Sequence, residues 1–455
     1  MKLPVLNIFR SSLSVALRSQ EIGFVLSAYG LARSLALLGI EASRRGLHFS
    51  KVLRPTPVPF DKVFGKNLAK TFVKLGPTFI KLGQVLATRS DLVGDEVAEQ
   101  LKVLFDRVPP VSFGEIKRIL KSQLGKQKMK EWFKEIERVP LASASLSQTH
   151  SAMLKDGTRV ILKVQKSGVA DLVRADLIIL EGFVRSLHLL SPQMQLLQMF
   201  EDFKHATLRE IDYREEAKNI DQFRKNYRKL FSDSDVVFPR YFPELTTEKV
   251  IALEPMHGRK VGELKKGTTV ARHAAAKGLT AILEQIFDHG FFHADPHAGN
   301  LFFLEDEGRI GFIDLGLVGR LDPKDKQKFL KVLLAILKRD REKLAANLYA
   351  LGMPGKKTRY ADFEKAIQKL LDDVQQTGVN NLKMDQLVNR VLGIARRNGI
   401  HIPNRYIMMI RACLVIEGVA RSLDPKISVF QLAVPVVTKS LLKTYNPLRF
   451  LGKFV

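Results

Sequence analysis

Hydrophobic residues recur every three or four positions along most of the chain, a spacing that predicts amphipathic helices. Residues 60–86 fit one or two helices broken at Gly76-Pro77, and residues 111–133 fit a further helix. Long helical stretches are predicted over 169–227, over 270–289 and over most of 322–446. The pattern therefore indicates a protein built mainly of helices.

Two regions carry the signals of β-hairpins instead. Small and β-prone residues occupy 141–154, and the turn Asp156-Gly157 separates them from the apolar run 159–164, which predicts two paired strands. Residues 301–303 and 310–313 predict a second short hairpin. Shorter extended pieces are predicted at 236–238 and 249–253. The predicted strands thus lie in short regions between longer helical stretches.

Composition limits the class of protein. Of the 455 residues, 45% are hydrophobic and 26% charged, which excludes a disordered chain, a collagen and a coiled-coil rod. The length predicts two or three domains, or one two-lobed unit with extensions. The single cysteine, Cys413, excludes a disulfide framework and a cysteine-based zinc site.

The charge is strongly basic. With 73 Lys and Arg against 47 Asp and Glu, the formal charge is +26, which implies an anionic partner. The excess is most one-sided at residues 1–60 and 401–455, which each hold eight basic and two acidic residues. The N-terminal stretch is compatible with a transit peptide, a basic amphipathic helix on anionic lipid or a core-packed helix. No secretory signal is expected, and no membrane span either, because polar residues interrupt the best candidate at 22–40.

The sequence HADPHAGN at 293–300, followed by Asp314-Leu315-Gly316, carries the sharpest chemical signal. Phosphoryl transfer uses these groups: one Asp orients or deprotonates the nucleophile, while an Asn and a second Asp hold the magnesium that bridges the phosphates. Asp295, Asn300 and Asp314 are the candidates. A competing interpretation places the histidines at 289, 293 and 297 on a metal-binding helix, which the intervening Gly and Pro residues disfavour.

A kinase-like site also predicts an upstream strand lysine with a helix glutamate to hold it. Lys163 lies in the predicted strand 159–164, and four acids follow on the predicted helix: Glu210, Asp212, Glu215 and Glu216. The expected Gly-rich phosphate loop is missing. Ala142-Ser143-Ala144-Ser145 stands in its place, so the nucleotide would be held in an altered way.

Together these motifs resemble the AarF/UbiB family of atypical, protein-kinase-like proteins, whose members support ubiquinone and related isoprenoid-lipid metabolism. The resemblance covers about residues 60–320 and rests on KLGQ at 81–84 (the family's KxGQ), DRVPP at 106–110, the Ala-rich loop, EID at 210–212, HADPHAGN and DLG. It implies an α+β, two-lobed kinase-like fold with a small β-containing N-lobe and a helical C-lobe. The implied division is a helical extension at 1–135, an N-lobe at 136–255 and a C-lobe at 256–455.

The resemblance also implies roles for residues of the nucleotide site. Lys163 would contact the nucleotide phosphates and pair with Glu216, and the segment from Glu254 to Met256 would form the hinge facing the adenine. The phosphate-facing loop would consist of Ala142, Ser143, Ala144 and Ser145. ATP or ADP and Mg²⁺ are the implied cofactors.

Asp295 is implied to be the catalytic acid–base, with Asn300 and Asp314 as magnesium ligands. Lys81 and Gln84 would belong to a helix that folds over the active site, with Lys81 reaching Glu210. Their i, i+3 spacing places Lys81 and Gln84 on one face of that helix.

The sequence departs from the family pattern and from ordinary protein kinases at positions that bear on its expected activity. Ser143 replaces an alanine of the loop, which bears on the preference between ATP and ADP, and the family's pair of C-terminal membrane-spanning helices is not expected here. Ala294 stands where protein kinases have Arg, and no Ala-Pro-Glu follows DLG. We therefore expect ATP hydrolysis, or phosphorylation of a small or lipidic molecule, rather than protein phosphorylation. The alternative is a non-catalytic, nucleotide-sensing scaffold for quinone-biosynthesis enzymes.

The expected partners are an anionic membrane surface, isoprenoid quinone precursors or other lipids, and quinone-biosynthesis enzymes. Nucleic acid would explain the charge but no motif supports it. The expected location is cytoplasmic and peripheral on the inner membrane, or organellar in a eukaryote.

Overall fold

The computed structural model describes residues 5–29, 61–87, 93–105, 109–190, 196–228, 235–338, 340–355, 358–377 and 384–445. Its helices are α1 Val5–Ala28, α2 Lys62–Leu75, α3 Pro77–Ala87, α4 Asp95–Leu101, α5 Phe113–Leu124, α6 Lys126–Trp132, α7 Val169–Leu190, α8 Leu196–Glu210, α9 Tyr213–Arg228, α10 Thr269–Glu284, α11 Pro323–Leu337, α12 Arg341–Leu351, α13 Tyr360–Thr377, α14 Met384–Arg397, α15 Asn404–Leu423 and α16 Val429–Tyr445.

Its strands are β1 Phe133–Ile136, β2 Ala142–Ser143, β3 Ser147–Leu154, β4 Arg159–Gln165, β5 Val236–Val237, β6 Val250–Leu253, β7 Arg259–Lys260, β8 Phe291–His293, β9 Leu301–Leu304, β10 Arg309–Phe312, β11 Val318–Arg320, β12 Met353–Pro354 and β13 Ile400–His401. The chain divides into two compact units. Unit 1 comprises Met1–Ala217 and Tyr241–Pro255, and unit 2 comprises Lys218–Arg240 and Met256–Val455.

Unit 1 contains an antiparallel sheet in the order β1-β3-β4-β6, with β2 paired to β3. The turn Asp156-Gly157 joins β3 to β4, and Gly157 has a φ of 89°, which a glycine adopts without strain. Along β4 the side chains of Val160, Leu162 and Val164 are fully buried, whereas Lys163 points to the opposite face. α5 packs on the buried face, so the hairpin, the sheet and this helix share one core.

The other described elements of unit 1 are mainly helices. Asp61 caps α2 by accepting a hydrogen bond from the backbone N–H of Phe64, and Gly76, with a φ of 95°, ends that helix before Pro77 begins α3. α1, α2, α3 and α4 share a second hydrophobic core. α7 and α8 enclose a third.

Unit 2 is built around the hairpin of β9 and β10. β5 pairs with β10 in parallel and β7 pairs with β9, giving the order β5-β10-β9-β7. β8 and β11 form a separate antiparallel pair. α10 and α15 pack against each other, while α12, α13 and α14 share a further core.

The two hairpins and the break at Gly76-Pro77 are thus confirmed. The long helical stretch predicted over 169–227 consists of three helices, α7, α8 and α9. Asp212 begins α9: its side chain accepts from the N–H of Arg214, and the N–H of Tyr213 donates to the carbonyl of Glu248. Phe133 begins β1 instead of ending a helix, since it pairs with Leu154 of β3.

Among the described helices, none is both long enough and apolar enough to cross a bilayer. The apolar run at 430–442 lies in α16, with Pro435 inside the helix. Of the candidate span at 22–40, only the part up to residue 29 lies within the described residues.

Candidate active site

Lys163 and Glu216 form a closely held ion pair in unit 1. Lys163 Nζ lies 3.0 Å from Oε2 and 3.3 Å from Oε1 of Glu216. The side chains are 17% and 3% exposed. β4 fixes Lys163 between its neighbours Thr149 and Ile251 in the adjacent strands. Of the four candidate acids, the structure therefore gives Lys163 the partner that the family resemblance implies.

The Ala-rich loop is a tight turn between β2 and β3. Ala142 and Ser143 pair with Thr149 and Gln148, and the N–H of Ala144 donates to the carbonyl of Ser147 at 2.9 Å. Within the described residues, the only residue other than glycine with a positive φ is Asp314, so this loop does not use left-handed backbone. A loop without glycine is thus built from ordinary extended and turn conformations.

The carbonyl of Pro109 contacts this loop, which the sequence did not predict. It accepts from Ser143 Oγ at 3.3 Å and from Lys166 Nζ at 3.2 Å. Gln148 adds a two-sided contact to Val111, accepting from its N–H and donating to its carbonyl. Pro109 of the DRVPP motif therefore contacts the loop, and Val111, just after the motif, contacts β3. Residues 106–108 lie outside the described part of the chain.

The KxGQ residues lie on α3. Lys81 Nζ forms an ion pair with Glu210 Oε2. Their side chains are 19% and 32% exposed, so the pair is half-buried. Gln84 Nε2 donates to the carbonyl of Leu104 at 2.8 Å. The predicted Lys81–Glu210 pair is confirmed, and the closure of the active site by this helix stays a prediction.

The proposed hinge begins where β6 ends. Glu254 follows β6 directly and is exposed. In unit 2, Met256 covers Gly311 of β10: its sulfur lies 2.7 Å from where a Cβ of Gly311 would stand. Gly311 thus leaves room for Met256, and the adenine contact of this segment stays a prediction.

His293 organises the loop 293–300 of unit 2. Its backbone N–H donates to Gln285 Oε1 at 2.9 Å, and its Nδ1 accepts from the N–H of Asp295 at 3.1 Å. Because Nδ1 accepts, the proton of the neutral ring lies on Nε2, which donates to the carbonyl of Ile313 at 3.2 Å. Complete burial lowers the pKa of His293, which favours this neutral form. One side chain thus holds both Asp295 and the residue before Asp314.

Asn300 is tied to the same framework. Its Nδ2 donates to the carbonyl of Asp295 at 3.3 Å, and its own carbonyl accepts from the N–H of Ile313 at 2.9 Å. With Nδ2 engaged, Oδ1 is the atom left for a ligand. Asp314 is exposed and has a φ of 57°, a left-handed conformation that costs about 1 kcal/mol or more outside glycine. Asn219 donates to the carbonyl of Leu315 at 2.9 Å and so anchors the residue after it.

These donors fit magnesium. An amide oxygen from Asn300 and a carboxylate from Asp314 are hard oxygen ligands, and Mg²⁺ is commonly held by one or two such groups with phosphates and water completing the shell. The histidine interpretation does not fit, since both ring nitrogens of His293 are engaged by the backbone. His289 ends a π-helical turn at Gly290, which has a φ of 66°, so no helix continues to His297.

Arg411 is a site residue that the sequence analysis missed. It lies on α15, and its Nη2 donates to Oδ1 of Asp295 at 3.3 Å. The available signal was the lone charge between Arg405 and Glu417 in an otherwise apolar run. Such a charge needs a partner, but the sequence could not name Asp295, 116 residues away.

A strand lysine held by a helix glutamate, together with an Asp-Asn loop followed by a second Asp, defines an atypical kinase-like protein. The comparisons agree: residues 103–348 match the ABC1 atypical kinase-like domain, and residues 367–428 match the UbiB helical domain. The chain belongs to this ABC1/UbiB family.

Relatives align over most of the chain. An uncharacterized protein from the 5′ region of hydrogenase 1 of Clostridium pasteurianum is 31% identical, over 82% of this chain and 70% of the relative. A probable protein kinase UbiB of Pseudomonas fluorescens is 30% identical, over 87% of this chain and 75% of the relative. A protein of Mycobacterium tuberculosis solved with erythromycin aligns at 22% identity and a TM-score of 0.46, over 76% of this chain and 90% of that one. The family assignment rests on the sequence matches, not on that superposition.

Proposed function

We propose that this protein is an ATP-dependent phosphoryl-transfer enzyme that hydrolyses ATP or phosphorylates a small or lipidic molecule. The observation that carries the proposal is the His293 network, because it fixes Asp295, Asn300 and the residue before Asp314 in one hydrogen-bonded framework. A purely structural loop would not need an exposed carboxylate in a strained conformation at its end. The Lys163–Glu216 pair supports the same chemistry.

In the proposed reaction, a hydroxyl or water oxygen attacks the γ-phosphorus, and the bond between that phosphorus and the β–γ bridging oxygen breaks. Asp295 orients the nucleophile and accepts its proton, while Lys163 binds the phosphates. Asn300 and Asp314 would hold Mg²⁺, which neutralises charge on the phosphates when bound. ADP and a phosphate, or a phosphorylated product, leave.

Two features favour a small substrate over a protein. Ala294 is buried before Asp295, so this position offers no cation for a phosphorylated loop. After Gly316 the chain forms β11 at once and begins α11 at Pro323, which leaves a very short segment for docking a peptide. The name of the Pseudomonas relative, a probable protein kinase, describes that relative.

Family resemblance suggests the biological setting: the enzyme would support ubiquinone or related isoprenoid-lipid metabolism, acting on quinone precursors or other lipids beside quinone-biosynthesis enzymes. We place it peripherally on an anionic membrane. Leu17 and Phe24, seven residues apart on α1, are 58% and 76% exposed and can face a bilayer together.

The terminal charges contribute less to this attraction than their number suggests. Arg18 is buried in an ion pair with Asp176. Near the other end, four basic residues also have acidic partners: Arg405, Arg411, Arg421 and Lys439. Paired cations add little to a surface potential, so fewer than the sixteen terminal cations are available to lipid headgroups.

The deciding experiment is nucleotide turnover by the purified full-length protein with Mg²⁺. It is measured with and without anionic liposomes and phenol-like quinone precursors, beside an Asp295→Asn variant. Turnover that requires Asp295 supports the proposal. Tight Mg-nucleotide binding with no turnover under any condition would instead favour the nucleotide-sensing scaffold.

A further inference from the structure

The candidate catalytic residue Asp295 has a cationic partner on a helix that is distant in sequence. Arg411 Nη2 donates to Asp295 Oδ1 at 3.3 Å, and the two side chains are 24% and 30% exposed. The contact therefore lies within reach of a bound molecule while staying partly shielded from water. Within the described residues, Oδ2 of Asp295 has no comparable donor.

The position of Arg411 on α15 has no explanation within its own helix. The residues one turn away on either side are apolar: Ile407, Met408, Leu414 and Val415. The other basic residues of α15 have other partners, because Arg405 pairs with Asp325 and Arg421 pairs with Glu417. Placing a charge in such a stretch is costly unless it is paired, so Asp295 accounts for Arg411.

The chemistry needs a cation at this point. A nucleotide carries several negative charges, and an ionised carboxylate close to the reacting phosphate repels them. The loop 293–300 contains no Lys or Arg that could offset this repulsion. A guanidinium on Oδ1 both offsets the charge of Asp295 and leaves Oδ2 for the nucleophile.

We infer that Arg411 is a positioning residue for phosphoryl transfer: it holds Asp295 through Oδ1, presents Oδ2 to the attacking hydroxyl or water, and counters the repulsion between Asp295 and the phosphates. The inference rests on the proposed function. It gives the region that matches the UbiB helical domain a direct part in the chemistry.

The test measures ATP turnover and thermal stability for Arg411→Ala and Arg411→Lys, in the native sequence and in the Asp295→Asn background. Arg421→Ala, on the same helix and paired to an acid, is the matched control. We expect kcat of Arg411→Ala to fall on the order of a hundredfold, the usual effect of removing one preorganised polar group, with a smaller change in KM. Arg411→Lys should lie between Arg411→Ala and the native protein.

Two readouts separate positioning from a structural role. In the Asp295→Asn background, Arg411→Ala should lower kcat only slightly, because Arg411 acts through Asp295. Millimolar guanidinium should restore turnover to Arg411→Ala without raising that of Arg421→Ala. If Asp295→Asn has no measurable turnover, rescue of Arg411→Ala by guanidinium distinguishes positioning from a structural role. If Arg411→Ala does not fold, a lower kcat in a folded Arg411→Lys variant makes that distinction.

The inference would be overturned, and the proposed function would stand, if Arg411→Ala had the kcat of the native protein. The same holds if Arg411→Ala lowered kcat in the Asp295→Asn background by as much as it does in the native sequence. Turnover that is absent, or that does not depend on Asp295, would overturn the proposed function and the inference with it.

Discussion

Arg18 of α1 donates from Nε to Oδ1 of Asp176 in α7 at 2.7 Å, and the two side chains are 7% and 0% exposed. The same guanidinium contacts the carbonyl of Leu75 and pairs with Glu21. Within unit 1, α1 is therefore held against α7 by a buried charge pair as well as by apolar packing. Arg18 is satisfied inside the protein and does not face lipid.

Arg18→Met should destabilise the protein by about 3–5 kcal/mol, because it leaves Asp176 buried and unpaired. Arg174→Met, on the surface of α7 and paired with Asp171 and Glu248, should cost about 1 kcal/mol or less. Urea unfolding of both variants measures the free energy of unfolding. Equal losses would show that the buried pair contributes no more than a surface one.

Asp314→Asn should abolish magnesium-dependent nucleotide binding and leave the fold intact. Asp314→Gly should lose the same binding while keeping or raising thermal stability, because glycine adopts the positive φ of this position without strain. Asp306→Asn, in the exposed turn between β9 and β10, is the control. Titration with nucleotide in the presence and absence of Mg²⁺ measures the effect; unchanged affinity in Asp314→Asn would refute the ligand assignment.

Lys81→Ala should loosen α3 without unfolding unit 1. Because the Lys81–Glu210 pair is half-buried, we expect a loss of about 1 kcal/mol, less than a deeply buried pair would cost. Combined with Ser143→Gly, it should permit autophosphorylation, measured as label transferred from γ-labelled ATP. Lys70→Ala, an exposed position of α2, is the control. Labelling equal to that of the native protein would contradict a role of this helix in excluding protein substrates.

Stability should fall in weak acid. Burial lowers the pKa of His293 in the folded state, so the unfolded chain takes up the proton first as the pH falls. The stabilisation is complete above pH of about 6.5 and is lost below it, by at most about 1.4 kcal/mol per pH unit for this group. His293→Gln should flatten this dependence relative to the exposed control His273→Gln. Urea unfolding between pH 5 and 7.5 measures both; identical slopes would remove His293 as the cause.

Binding to vesicles should be electrostatic and sensitive to salt. We expect sedimentation with phosphatidylglycerol vesicles at low salt, weaker binding at 0.5 M NaCl, and little binding to phosphatidylcholine. Leu17→Ser together with Phe24→Ser should weaken binding further by removing the exposed apolar face of α1. Equal binding to neutral and anionic vesicles, or stronger retention on DNA than on vesicles, would contradict a membrane partner.

The elements that the sequence predicted correctly depend on local signals. Gly76-Pro77, Asp156-Gly157 and the β9–β10 hairpin are each set by a few neighbouring residues. The break before α9 also had a local signal, because Asp212 followed by Glu215 fits the start of a helix. The hydrophobic periodicity continues across this break and so does not reveal it.

The missed contacts depend on tertiary structure. Arg18 meets Asp176 across 158 residues, and Arg411 meets Asp295 across 116. A single sequence shows that Arg411 is unusual in its apolar surroundings, but not which acid Arg411 or Arg18 contacts. For the same reason, Glu216 could be separated from the other acids near it only by family resemblance, and the geometry then supplied the contact with Lys163.

Asn300 immediately precedes β9, and Asp314 lies just beyond the end of β10. The turn at 305–308 joins the other ends of the two strands, and its side chains at 305–307 are exposed. The candidate magnesium ligands and the exposed turn thus lie at opposite ends of the β9–β10 hairpin. A small peptide tag or an environment-sensitive dye inserted between Asp306 and Glu307 would therefore lie away from the candidate magnesium ligands Asn300 and Asp314. The turn therefore offers a position for immobilising the protein, or for attaching a dye that reports on the candidate site.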